Sequence, residues 1–345
     1  MHIRLVVPLR GFAVEDNNDI LLGQFTITNN IELKNKIVTD SHFISHFGQI
    51  SKNGILDNYI LFYTGESSKI DIIQDCRTFK EVSESISRYL INMCTTLWFI
   101  ADTPTFISVS YIELWENTGI GEYIPVDGQM LLSNTFFSNS RGEYLPKFVF
   151  TAQQLSEWNT IYNSILRVVT DKKNIKNLES VVQHTTGIIP NKTNYIPYDQ
   201  NRIYRAILFL QLVRTKASVI MKITFQIAIY ECLFTSGSSE VTHQVSERAS
   251  LFLGGTSEEK KINYALLKSA YDIRSNFVHG NKVKGDRDSY LKIAVPLDEL
   301  TRKLLNKVIT DPTIFLSSEN NTKEFNNHFY NLIFVDDPIE DNDSL

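Results

Sequence analysis

The residues best suited to chemistry gather in one stretch, Arg274-Ser275-Asn276-Phe277-Val278-His279-Gly280. Histidine gains or loses a proton near neutral pH, so His279 can serve as a general acid or base. Arg274 offers a planar, permanently charged fork of N–H donors that suits a phosphate or an oxyanion. Asn276 can hydrogen-bond a phosphate oxygen or orient an imidazole. Spacing alone is a weak sign. Thirteen Arg and 7 His in 345 residues give about 0.26 such Arg-to-His pairs by chance, and the chain has one. Each residue also has a structural reading. His279 can cap a helix end, Arg274 can pair with Asp272, Glu240 or Glu231, and Asn276 can be plain surface.

The element that must position them is a helix over 257–279. Ser257 suits its N-cap, Glu258 and Glu259 its first turn, and Gly280 the position just past its end. Ile262, Leu266, Ala270, Ile273 and Phe277 recur at helical spacing and are expected to face the core. At 100° per residue, Arg274 and His279 then lie about 140° apart around the axis. Either the helix unwinds before His279, or two chains meet here and each site takes Arg from one and His from the other. Lys282, Lys284 and Arg287 follow the helix, and Lys260, Lys261 and Lys268 precede its end. Lys268, Lys282, Lys284 and Arg287 are the candidate nucleic-acid contacts.

Charge supports that reading only when divided along the chain. The net charge is −5. Residues 1–170 carry 12 basic and 18 acidic side chains, 171–310 carry 21 and 13, and 311–345 carry 1 and 8. A basic block able to hold a polyanion thus lies between two acidic ones, and the acidic end can compete for it. Cys76, Cys94 and Cys232 are scattered, which excludes a disulfide scaffold and a zinc ribbon. Neither GxxxxGK[ST], GxGxxG, HExxH nor GxSxG occurs. Asp286-x-Asp288 reads as a polar turn rather than a cation site. The apolar window 91–101 is about half the ~20 residues a membrane span needs, and the start lacks a signal-peptide run. A cytoplasmic protein without a membrane partner is the expectation, with no metal or cofactor.

Residues 1–150 read as an α+β domain with a small, mostly antiparallel sheet. Strands are expected at 20–28, 59–63 and 106–115, and Val82, Ile86, Tyr89, Leu90, Met93 and Leu97 mark one clear helix. Residues 151–199 read as a helix, 153–169, and a linker centred on 185–197. From 201 to 234 runs one long helix or two closely joined. Helices at 239–252, 257–279 and 297–309 complete an all-helical domain over 200–310, before an acidic extension, 311–345, with a last helix near 325–333.

The segment Arg274 to Gly280 resembles the RxxxxH motif of HEPN domains, in the Arg-Ser-x-x-x-His-Gly form of the Apea-like group. The preceding residues agree: a long helix ending Tyr230-Glu231-Cys232-Leu233-Phe234, then 235–240, then a helix with His243, Arg248 and Ala249, then the helix that ends in the motif. The likeness covers roughly 200–310, and some Apea-type defence proteins also carry an N-terminal β-rich domain. It implies a dimeric helical bundle and a metal-independent endoribonuclease of prokaryotic defence or toxin type. Arg274 and His279 would be catalytic, with Asn276, Ser275, Glu240 and Glu231 supporting. RNA is the implied substrate, and a phage-derived trigger or a cognate inhibitor acting through residues 1–150 is the implied control. The alternative is a non-catalytic HEPN dimer serving as a scaffold or as an RNA- or nucleotide-binding module.

Overall fold

In the computed structural model the chain divides into two compact units, 1–196 and 197–345. The structure describes residues 2–16, 18–49, 51–74, 76–119, 123–133, 135–144, 147–170, 201–237, 240–317 and 321–333. The expected linker at 185–197 and the acidic stretch 336–345 lie outside them.

The first unit contains strands β1 (His2–Leu9), β2 (Phe12–Val14), β3 (Ile20–Leu22), β4 (Phe25–Thr28), β5 (Tyr59–Glu66), β6 (Val109–Asn117), β7 (Tyr123–Leu132) and β8 (Phe148–Phe150). Six of them form an antiparallel sheet in the order β3-β4-β5-β1-β6-β7, and β2 and β8 form a separate parallel pair. The expected strand 20–28 is a hairpin. Leu22 pairs with Phe25 across a two-residue turn that Gly23 permits with φ +57°. Central β1 buries Ile3, Leu5, Val6, Val7 and Leu9 together, because both faces of the sheet are covered. On one face α1 (Ile31–Thr39), α2 (Ser41–Phe47) and α3 (Ser51–Leu56) pack Ile37, Val38, Phe43 and Ile55 against Val6, Ile60, Val109 and Tyr111.

On the other face lies α4 (Phe79–Leu97), started by a Thr78/Glu81 capping box, with Phe25 against Tyr63 and Tyr89. The expected helix 153–169 is α5 (Ala152–Thr170). Its Trp158 donates to Thr96 Oγ1 at 2.9 Å and its Tyr162 meets the Tyr89 ring, so it belongs to this unit. A polar knot ties α2 to the sheet: buried Glu113 accepts from Arg4 Nε and lies 3.2 Å from His46 Nδ1, while Arg4 Nη1 reaches Asp40 at 2.6 Å.

The second unit is helical: α6 (Arg202–Thr215), α7 (Val219–Phe234), α8 (Val241–Leu253), α9 (Ser257–Val278), α10 (Arg287–Thr310), α11 (Thr313–Ser317) and α12 (Thr322–Ile333). The expected long run 201–234 is two helices, broken at 216–218, where Ser218 caps α7. Helix α7 is the axis of the bundle, burying Ile223, Ile227, Tyr230, Leu233 and Phe234 against α6, α8, α9 and α10. Helix α10 begins ten residues before the expected start, with Asp286 as its N-cap, and carries Pro296 inside it. Helices α11 and α12 pack onto the bundle. Phe315, Phe325 and Phe329 close on Phe234 and Phe252, and Arg248 joins Phe234 O to Asn326. No helix among the described residues is long and apolar enough to cross a membrane.

Candidate active site

Helix α9 carries both candidate catalytic residues, and its start differs slightly from expectation. Thr256, not Ser257, is the N-cap, in a capping box with Glu259. The larger difference is its rotation. Of the five stripe residues only Ala270 is buried; Ile262 is 58% and Phe277 42% exposed. The residues that do face the bundle are Leu267 and Ala270, about 70° around the axis from the expected stripe. Helix α7 lies on that side, so the apolar stripe forms a flank instead of a core.

This rotation seats Arg274. It lies within about 20° of the direction midway between Leu267 and Ala270, and so points at α7. Its Nη2 donates to Glu231 Oε2 at 3.1 Å, and its guanidinium carbon sits 5.5 Å from the centre of the Tyr271 ring. Of the three carboxylates available to it in the sequence, Glu231 is the one it takes. Both side chains remain about a quarter exposed. Tyr271, beside Arg274 on the same helix, feels the charge of Glu231. Burial, reinforced by the Glu231 charge, pushes its phenol above the ordinary range. Tyr271 was missed in the sequence. Tyr271 is three residues before Arg274 on one helix, and that spacing is the signal that marks it.

His279 is elsewhere. The helix does not unwind before it: its N–H donates to Ser275 O at 3.0 Å, and it forms the C-cap at φ −82°, ψ 5°. The break comes at Gly280, φ +73°. The His279 ring is exposed and meets no side-chain partner among the described residues. Five residues along an intact helix, about 7.5 Å of rise and 140° of turn separate the two groups. Asn276 donates to Asp272 O at 2.8 Å and accepts at its own carbonyl from Asn281 N–H, so it trims the helix end. Ser275 is half-buried and contributes its carbonyl to His279. Glu240 is exposed, starts α8 in the left-handed region at φ 51°, ψ 36°, and makes no ion pair with Arg274.

Lys268, Lys282, Lys284 and Arg287 are all exposed. Lys268 shares the His279 side of the helix, about 20° away around the axis, so a basic margin accompanies the histidine rather than the arginine. Asp286 is spent on the α10 cap, accepting from Ser289 N–H and Oγ, which holds its carboxyl below the usual range. Among the described residues no three His, Cys, Asp or Glu side chains gather into a metal-binding group.

Comparison with protein-family models finds no match, and neither does comparison with curated proteins or with solved structures. The case for a function therefore rests on the chain's own residues.

Proposed function

We propose that the chain is a metal-independent endoribonuclease of HEPN type acting in prokaryotic defence, working as a homodimer whose sites are shared between chains. The observation that carries this reading is the seating of Arg274. It is held by Glu231 and Tyr271 while its side chain stays about a quarter exposed, as a phosphate-binding guanidinium needs to be. In the reaction the 2′-oxygen bonds to phosphorus and the bond from phosphorus to the 5′-oxygen breaks. His279 takes the 2′-hydroxyl proton and returns it to the leaving oxygen. Arg274 stabilises the charge gathering on the non-bridging oxygens. DNA, lacking the 2′-hydroxyl, is not a substrate.

Two chains are needed because an intact helix keeps Arg274 and His279 of one chain apart. The exposed flank of α9, Ile262 to Phe277, provides apolar surface for a second copy to cover. The first unit serves as sensor or restraint, released by a phage-derived trigger or held by a cognate inhibitor. The competing reading, a non-catalytic HEPN dimer that scaffolds or binds RNA or nucleotides, also accommodates Arg274, since its bond to Glu231 staples α9 to α7 in either case. Labelled RNA incubated with the protein in EDTA separates the two. Cleavage that disappears in His279→Ala supports the enzyme. RNA binding that persists in His279→Ala, with nothing cut by the wild type across varied RNAs, overturns it.

A further inference from the structure

We infer that Tyr271 is a further catalytic residue, the group that hands a proton to the leaving 5′-oxygen; this rests on the ribonuclease reading and deepens it. In-line displacement at phosphorus sets the attacking 2′-oxygen and the leaving 5′-oxygen on roughly opposite sides. A proton donor has to come within about 3 Å of the oxygen it serves. An imidazole placed at the attacking oxygen is therefore out of reach of the leaving one. A second group is needed on that side, and it has to carry a proton at neutral pH.

Tyr271 meets both conditions. Its ring centre is 5.5 Å from the Arg274 guanidinium carbon, so it stands beside any phosphate that Arg274 holds. It is half-buried, and burial, reinforced by the Glu231 charge, keeps the phenol protonated through neutral pH. The neighbouring side chains do not serve. Glu231 is taken up by Arg274, Asn276 is bonded to Asp272 O, and Lys268 lies on the His279 side of the helix. Around the axis of α9, Arg274 falls between the apolar flank, about 80° to one side, and Tyr271, about 60° to the other. A second chain covering that flank brings its His279 to the phosphate from the side opposite Tyr271, as in-line displacement requires. The protons balance. His279 takes the 2′-hydroxyl proton as the 2′-oxygen bonds to phosphorus, and Tyr271 gives up its phenol proton as the bond to the 5′-oxygen breaks. The imidazolium then reprotonates the phenolate through water. The proton that His279 took thus reaches the leaving oxygen by way of Tyr271.

RNA carrying sulfur in place of the 5′-bridging oxygen at the cleaved linkage tests this. A thiol titrates near about 8.5, so the thiolate leaves without needing a proton. Wild type, Tyr271→Phe and His279→Ala of the full chain are each given this RNA and the ordinary one, in EDTA. Phenylalanine keeps a ring beside Arg274 and removes only the hydroxyl. On ordinary RNA, Tyr271→Phe should lower kcat about 100-fold with little change in KM. On the sulfur RNA it should match the wild type within about twofold, whereas His279→Ala, lacking the base, should fail on both. The ratio of the two rates is read within one preparation, so any loss of folded protein cancels. Equal losses on the two RNAs would make Tyr271 a positioning residue for Arg274 and overturn the inference while the ribonuclease reading stands. Full activity of Tyr271→Phe on ordinary RNA would do the same. A wild type that cuts neither RNA overturns the ribonuclease reading and this inference with it.

Discussion

Arg274 of α9 donates to Glu231 of α7 at 3.1 Å, and this pair joins the seam between two helices to the chemistry proposed for the site. With both partners about a quarter exposed, the pair is worth at most about 1 kcal/mol to the fold. Its value lies in aim. Glu231→Gln keeps a hydrogen bond but loses the charge that holds the guanidinium. Thermal stability should hardly move, while kcat for RNA cleavage falls about tenfold with little change in KM. Arg274→Lys loses the planar fork and should cost roughly 100-fold. A Glu231→Gln enzyme with full kcat would show that orientation of Arg274 does not matter.

A shared site makes a prediction no single-chain site can match. Arg274→Ala and His279→Ala should each be inactive; mixed and allowed to exchange subunits, they should form dimers of which about half carry both lesions. Each mixed dimer has one doubly damaged site and one intact site. Activity should return to about a quarter of wild type. Silence after verified exchange would sink the two-chain arrangement.

The exposed flank of α9 predicts the same partner differently. Phe277 is 42% exposed in the single chain, so Phe277→Asp should leave the chain folded, with a transition temperature near wild type. If a second copy covers it, sedimentation should report a monomer, and cleavage should vanish with it. A variant that is still dimeric places the interface elsewhere.

The contrast between α4 and α9 explains what the sequence could say. Both show an apolar stripe of period 3.6. On α4 the stripe Val82, Ile86, Tyr89, Leu90, Met93, Leu97 is the buried face, because it packs on the sheet. On α9 the buried side holds Leu267, Ala270 and a charged Arg274, whereas the apolar stripe lies beside it. Periodicity reports that a face is apolar, not what covers it. Strand β1 escaped notice for a related reason: buried on both faces, it has no alternation to read. Helices α1 to α3, of nine, seven and six residues, are too short to show a stripe. The partner of Arg274 was one of three carboxylates in the sequence, and only the packing of α9 on α7 selects Glu231.

The basic margin after α9 should reveal itself through salt. If Lys282, Lys284 and Arg287 contact phosphates, changing all three to Ala should lower the slope of log affinity against log salt by about 2, at roughly 0.7 per contact on a single strand. Equilibrium binding of a non-cleavable RNA at several salt concentrations measures it. An unchanged slope would make the margin a solvated surface.

The last prediction concerns acid and the first unit. Burial disfavours the Asp40 carboxylate, but the bond from Arg4, helped by His42 N–H, outweighs it, and the carboxyl is held below its usual range. A depressed carboxyl stabilises the fold fully above its unfolded value, about 3.9, and loses that contribution as pH falls through the lower folded value. Asp40→Asn can still cap His42 but cannot charge. It should therefore be less stable than wild type at pH 5 to 7, and the two should converge as pH drops below about 4. Urea unfolding followed by tryptophan fluorescence reads this unit alone, because Trp98, Trp115 and Trp158 all lie within it. Parallel stability curves down to pH 3 would remove Asp40 as a source of acid lability.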